Sequence, residues 1–379
     1  MRITADWLTS ERSQAVCRML TDAGYQAFFV GGCVRNALIG APVSDLDVCT
    51  SALPEQTLTL AKKAGLKAIP TGIDHGTITV ISGGEPYEIT TFRQDVETDG
   101  RHAVVAFADN IEDDAKRRDF TMNALYAAPD GTIVDPVGGI ADLEARHVRF
   151  IGDADQRIRE DYLRILRFFR FTAWYGDPEI GIDADGLAAC AENIDGLEAL
   201  SAERIGAEMK KLLSAPDPAP ALAAMQSCGA LNAILPGATA QSLAVLVHLE
   251  DGIQPNRLRR LAVIGGEDLV ERLRLSNAEA KKLAAIQAGL ETDIHELGYR
   301  FKDTAVDTYL VRQASMGQHL NPDELAQIKQ ATRQVFPVTA ADLMPEYQGP
   351  ALGQRLRELE ERWIKSGFFL SAAELCERD

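Results

Sequence analysis

Phe28-Phe-Val-Gly-Gly-Cys-Val-Arg-Asn-Ala-Leu-Ile-Gly40, followed directly by Ser44-Asp-Leu-Asp-Val48, is the stretch that decides the N-terminal fold. Phe28 to Val30 reads as a buried strand and the residues after Gly32 as a helix. Gly31 and Gly32 at the junction let bare backbone amides approach a phosphate chain closely. Arg35, in the first turn of that helix, adds a charged fork for the same phosphates. Taken alone, such a turn is also how an ordinary strand-to-helix connection reads. Asp45-Leu-Asp47 adds chemistry. Residues i and i+2 of a strand share a face, so the two carboxylates converge while Leu46 turns to the core. Paired carboxylates repel unless cations sit between them, and hard oxygen ligands suit Mg²⁺.

Working outward, β-rich runs recur at Ala27 to Val30, Leu46 to Cys49, Thr77 to Ile81, Tyr87 to Phe92 and Thr132 to Val134. Helical stretches such as Glu11 to Ala23 and Glu55 to Lys63 separate several of them, so this part reads as mixed α/β. In Tyr87-Glu-Ile-Thr-Thr-Phe-Arg93, Glu88 is a candidate third carboxylate, or an ordinary exposed strand residue. After Asp155 strand signals stop and helical spacing takes over, giving an α+β chain with an all-α second half. Ser214-Ala-Pro-Asp-Pro-Ala-Pro220 is the clearest breaker, with weaker ones at Gly265-Gly266 and Phe336-Pro337.

The 379 residues carry 39 Lys and Arg against 56 Asp and Glu, a net charge of −17, which argues against a nonspecific nucleic-acid coat. A 46% hydrophobic content excludes a mostly disordered chain. No apolar run approaches the roughly 20 residues that a membrane span needs. The six cysteines are scattered without a CxxC pair. That argues against a zinc cage or disulfide framework and suits a reducing, cytoplasmic setting.

Gly31-Gly-Cys-Val-Arg35, Asp45-x-Asp47, Asp74-His-Gly-Thr77, Thr90-Thr-Phe-Arg93, Arg117-Arg-Asp-Phe-Thr-Met-Asn-Ala124 and Glu160-Asp-Tyr-Leu-Arg164 resemble, in order and spacing, the bacterial class II CCA-adding tRNA nucleotidyltransferases and their poly(A) polymerase relatives. The resemblance covers the chain strongly to about residue 212 and thinly beyond. It implies a DNA polymerase β-like nucleotidyltransferase head, a mixed sheet with helices, over residues 1–150. A helical neck (151–215), body (216–300) and RNA-binding tail (301–379) follow. By similarity, Asp45 and Asp47 hold the metals, with Gly31, Gly32 and Arg35 at the nucleotide. Arg118 matches a nucleotide-contacting position, and Asp119 and Asn123 belong to the ribose-reading region. Asn36 departs from the family, which usually carries Asp there.

The helix from Gln156 onward is expected to gather Ile158, Tyr162, Ile165 and Phe169 on one side. Glu160, Arg164 and Arg167 fall on the other, with Asp161 at its margin. A solvated, salt-bridged face is the plainer reading. The chemistry offers another. Cytosine and adenine each present an amino donor beside a ring-nitrogen acceptor, and uracil and guanine reverse the pattern. A carboxylate plus a guanidinium accepts both former bases and leaves the latter mismatched. Asp161 and Arg164 are therefore the expected template pair, a role the resemblance also assigns. It places Arg167 and Arg170 at the nucleotide too. It reads the acidic stretch Gln94 to Asp114, by itself a surface loop, as a lever for switching from CTP to ATP.

Phosphate contacts with tRNA are expected from Arg257, Arg259, Arg260, Arg272, Arg274, Lys281 and Lys282, which also read as solvated helix faces. Arg204 and Glu208, spaced i, i+4, read as a structural ion pair. The resulting expectation is a Mg²⁺-dependent enzyme that adds C, C and A to the tRNA 3′ end from CTP and ATP. A poly(A) polymerase or partial adder of the same superfamily is the nearest alternative. A noncatalytic RNA-binding protein on a polymerase-like scaffold is the alternative of another class.

Overall fold

A computed structural model describes residues 1–99 and 102–377. The described chain divides into two compact units, residues 1–204 with 227–234, and residues 205–226 with 235–379. Among the described residues no helix is long and apolar enough to cross a membrane, and all six cysteines are free.

Among the described residues the first unit holds all the strands: β1 (Ala27–Val30), β2 (Leu46–Thr50), β3 (Lys67–Gly72), β4 (Thr77–Ser82), β5 (Glu85–Thr91), β6 (Arg93–Asp99), β7 (His102–Phe107), β8 (Tyr126–Ala127) and β9 (Ile133–Val134). Seven form one mixed sheet in the order β3-β4-β5-β2-β1-β8-β9. Among the described residues only β2 and β5 run parallel, with Asp47 opposite Glu88. The alternation Leu46 buried, Asp47 half-buried, Val48 buried puts the carboxylate on the open face and anchors its neighbours in the core. β3 has only weak apolar character because it is an edge strand. Its Pro70 falls where the register slips between Ile69 and Gly72, a place where a missing N–H costs no ladder bond.

The acidic stretch after Arg93 is not a loop. β6 and β7 form a separate antiparallel ribbon, with Arg93 opposite Phe107, and the Ile111–Lys116 helix follows. The expected lever Gln94 to Asp114 includes Gly100 and Arg101, which lie outside the described residues.

Past Val134 the described chain is helical. The continuous helix expected from Gln156 is two helices, Ala154–Glu160 and Leu163–Tyr175, broken at Asp161, whose backbone is extended at φ −155° and ψ 103°. The side chain explains the break: Asp161 Oδ1 accepts from the Leu163 N–H at 3.1 Å and caps the second helix. Tyr162 packs so closely on Gly196 that a Cβ there would lie 2.0 Å from its ring. The buried face of the second helix then joins a phenylalanine core. Phe120 lies 4.9 Å from Phe150 and 4.8 Å from Phe171, and Phe150 lies 5.3 Å from Phe168. Each such ring contributes roughly 2–3 kcal/mol of burial, so Arg117-Arg-Asp-Phe120 is held firmly against that helix.

In the second unit, Arg259 and Arg260 are 2% and 1% exposed. Both guanidinium groups close on Glu250, at 2.7 and 2.8 Å. Arg259 also meets Asp307 at 2.7 Å, while Arg260 donates to the carbonyls of Leu213, Ala215 and Pro216. The expectation that these two arginines meet RNA phosphate is therefore wrong. Arg260 satisfies the carbonyls where the Ala202–Leu213 helix ends at the proline-rich breaker, while Arg259 also donates to the Gln254 carbonyl at 2.8 Å. Arg257 is also engaged, 3.0 Å from Glu279.

Candidate active site

The strand-to-helix turn after β1 is built on Gly31, at φ 71° and ψ −119°, a conformation that a side chain strongly disfavours. A Cβ on Gly31 would lie 3.5 Å from Arg118 Nη1, so the arginine of the Arg117-Arg118-Asp119 motif faces the glycine turn. Arg118 is gripped by Asp114 through Nε at 3.2 Å and Nη2 at 3.0 Å, and its Nε also donates to Tyr126 Oη at 3.0 Å. Burial alone would lower the Arg118 pKa, but Asp114 and its neighbours outweigh this and hold the group charged. Asp114 itself stays below the usual carboxylate range because the same contacts overcome its desolvation.

Asp45, exposed and just before β2, accepts from the Ser44 hydroxyl at 2.9 Å. Asp47 is pushed up to about 6, first by burial and then by the charges of Glu88 and Asp45, with Arg118 pulling the other way. Burial is the larger cause, and the neighbouring carboxylates add to it. Among the described residues no three His, Cys, Asp or Glu side chains converge as a ready-made metal cage. A cage is not required for Mg²⁺, which is usually held by one or two carboxylates with substrate phosphates and water completing the shell. The donor set fits that ion, with Glu88 adding charge beside the pair.

Asp119 is 7% exposed and fully engaged. Its oxygens accept from the Phe120 N–H at 2.9 Å, Asn123 Nδ2 at 3.0 Å and Arg167 Nε at 2.7 Å. Burial would raise its pKa; Arg167 and the hydrogen bonds reverse that and hold it at about 2. Asn123 in turn accepts from Arg35 Nη1. Arg35 differs from expectation. Its guanidinium is 6% exposed, donates to Asn36 Oδ1 at 3.0 Å and Tyr175 Oη at 2.7 Å, and lies 3.9 Å from the Tyr175 ring. It is a buried tie between the glycine-turn helix and the Leu163–Tyr175 helix, not a free fork for phosphate. Asn36 serves this tie as an acceptor and donates to the Pro42 carbonyl at 2.8 Å.

The remaining sequence-predicted residues surround the same motif. Arg164 donates to Glu160 at 2.5 Å, the Arg157 carbonyl at 2.6 Å and the Arg117 carbonyl at 3.0 Å. Arg170 lies over Phe171, 4.5 Å from the ring centroid. Asp161 does not pair with Arg164. Arg204 holds it, at 2.8 and 3.1 Å. Sequence reasoning passed over Asp114, Tyr126, Tyr175 and this use of Arg204. Only Asp114 left a local signal, four residues before Arg118 on a short helix.

The family profile described as "Poly A polymerase head domain" matches residues 27–149, and "Probable RNA and SrmB- binding site of polymerase A" matches residues 180–242. The mouse protein named CCA tRNA nucleotidyltransferase 1, mitochondrial, is 33% identical over 391 residues, covering 97% of this chain and 89% of the mouse protein. The chain belongs to the CCA tRNA nucleotidyltransferase family. Another member, the CCA-adding enzyme of Geobacillus thermodenitrificans, is 42% identical over 229 residues, 60% of this chain and 55% of that enzyme's length. The structure of the Bacillus stearothermophilus CCA-adding enzyme in complex with CTP superposes with a TM-score of 0.72 at 28% identity, covering 94% and 93% of the two chains. Membership of the CCA tRNA nucleotidyltransferase family accords with the polymerase-like head and the helical remainder.

Proposed function

We propose that this nucleotidyltransferase adds C, C and A in turn to the 3′ end of tRNA from CTP and ATP, releasing pyrophosphate. The observation that carries the reading is the juxtaposition of the Asp45–Asp47 carboxylates with a glycine turn faced by a permanently charged Arg118. Asp45 and Asp47 would hold Mg²⁺. When bound, Mg²⁺ supplies Lewis-acid polarisation of phosphoryl oxygens and eases ionisation of the attacking hydroxyl. The chain's own residues do the rest. The backbone at Gly31 and Gly32 leaves room for the triphosphate, and Arg118 balances charge that builds on the leaving pyrophosphate. The tRNA 3′-hydroxyl attacks the α-phosphorus in line, and the bond to the bridging oxygen breaks.

Base choice belongs to Asp161 and Arg164. The carboxylate accepts from the amino group of cytosine or adenine, and the guanidinium donates to the ring nitrogen. Arg204 sets the carboxylate before the nucleotide arrives. Asp119, Asn123 and Arg167 form one hydrogen-bonded chain beside the sugar. We assign transfer to residues 1–150, base selection to 151–215 and RNA binding to 216–300 and 301–379, with the cytoplasm as the place of action. The test is to give the protein tRNA lacking its last three nucleotides, offer each nucleoside triphosphate singly and in pairs, and sequence the products. C-C-A ends are expected. Long A tails, or efficient extension from ATP alone, would contradict the reading in favour of poly(A) synthesis.

A further inference from the structure

The Leu163–Tyr175 helix is fastened near both of its ends. Near its start, Arg164 donates to the Arg117 carbonyl at 3.0 Å and Arg167 to Asp119 at 2.7 Å, both on the Arg117-Arg118-Asp119 motif. Its last residue meets a different partner. Tyr175 Oη accepts from Arg35 Nη2 at 2.7 Å, and the guanidinium lies 3.9 Å from the Tyr175 ring and 5.2 Å from that of Phe171, one turn earlier. Arg35 belongs to the Gly32–Leu38 helix that leads out of the glycine turn. That helix touches β2, with Cys33 Sγ 3.9 Å from the Asp47 carbonyl oxygen. Arg35 Nη1 also donates to Asn123, whose Nδ2 donates to Asp119 at 3.0 Å, so one hydrogen-bonded circuit joins the two fastenings. Tyr175 stands eleven residues beyond Arg164, about 16 Å along the axis. That is too far for Tyr175 to touch a base read by Arg164, so any effect on the base passes through the helix. A straight rod held at one end turns about that end; held at both, it is fixed against the frame that carries the carboxylates.

We propose that Tyr175 is a positioning residue for base choice: through Arg35 it holds the helix bearing Arg164 in register with Asp45 and Asp47. The proposal rests on the function proposed above and adds a residue that acts at a distance from the incoming nucleotide.

The experiment measures steady-state extension of tRNA lacking its last three nucleotides by CTP and, separately, by UTP, using the full-length protein. Tyr175→Phe keeps the ring against the guanidinium and removes the hydroxyl acceptor. It should lower kcat with CTP about tenfold and the CTP-over-UTP ratio of kcat/KM at least about fivefold, a fraction of the hundredfold that a 1 Å misplacement can cost. The KM for tRNA should move less than about twofold, because no RNA contact is lost. Arg35→Lys replaces the planar fork by a single ammonium and should lower the same ratio, carrying the test if Tyr175→Phe does not fold. Since both variants open one circuit, the double variant should lose less than about half of the product of the two single losses. A merely structural role would slow CTP and UTP alike and leave their ratio unchanged. That result, or single losses that multiply in the double variant, overturns the proposal while wild-type C-C-A addition stands. Long A tails, or no extension by the wild type, would instead overturn the underlying function.

Discussion

Replacing Asp119 by Asn tests how the head motif is fastened to the Leu163–Tyr175 helix. The amide keeps an acceptor for the Phe120 N–H and Asn123, but its NH₂ group meets Arg167 Nε–H, now 2.7 Å from a carboxylate oxygen. Donor then faces donor. Asp119 sits at about 2 in the folded protein, against a carboxylate's ordinary value near 3.9, so its ionised form is favoured by roughly 2.5 kcal/mol. The pKa is depressed on folding. The stabilisation is therefore fully present above the unfolded value and is lost as pH falls toward the folded one, with roughly half remaining at about pH 3. Hydrogen exchange of peptides spanning 115–127 and 163–175, corrected for intrinsic rates, reads this locally. Asp119→Asn should lower the opening free energy of both by about 2.5 kcal/mol at pH 7, and the gap to wild type should shrink to about half at pH 3. A gap below about 0.5 kcal/mol at pH 7, or one indifferent to pH, would refute the reasoning.

Three further outcomes follow from the same geometry. Glu250→Gln leaves Arg259 and Arg260 buried beside a neutral amide and should cost about 3–5 kcal/mol, seen as faster exchange in the Arg257–Ile264 helix; a loss under about 1 kcal/mol would contradict it. Gly31→Ala forces a side chain into φ 71° and should cost about 1–3 kcal/mol, with CTP incorporation falling more than about tenfold; full activity would show that the turn is not strained. Asp161→Ala should cost about tenfold or more in discrimination between CTP and UTP, the worth of one directional contact, and unchanged selectivity would end its role as template.

Much of the head was legible because its signals are local. The alternation around Asp47, the double glycine and the strand bounds of β1 depend on neighbours one to four residues away, and each lies where its pattern put it. What escaped depends on distance in sequence. Nothing near Arg35 announces Tyr175, 140 positions on, so a buried tie read as a phosphate fork. Likewise, charge alone marks Arg259 and Arg260 as surface residues, and only the fold brings Glu250 and the carbonyls at the end of a distant helix to them. The break at Asp161 was within reach, since aspartate competes with the helix by capping, but the apolar periodicity on either side of it masked the stop.

The account stands on Asp47 as a metal-bearing carboxylate. Labelled CTP incorporation into tRNA lacking its last three nucleotides, run alongside Mn²⁺ binding followed by water proton relaxation, tests it directly by comparing wild type with Asp47→Asn. The account predicts that the variant loses at least about a thousandfold in incorporation together with its tight Mn²⁺ site, while still binding tRNA. Incorporation within tenfold of wild type, or Mn²⁺ binding left intact, would contradict it.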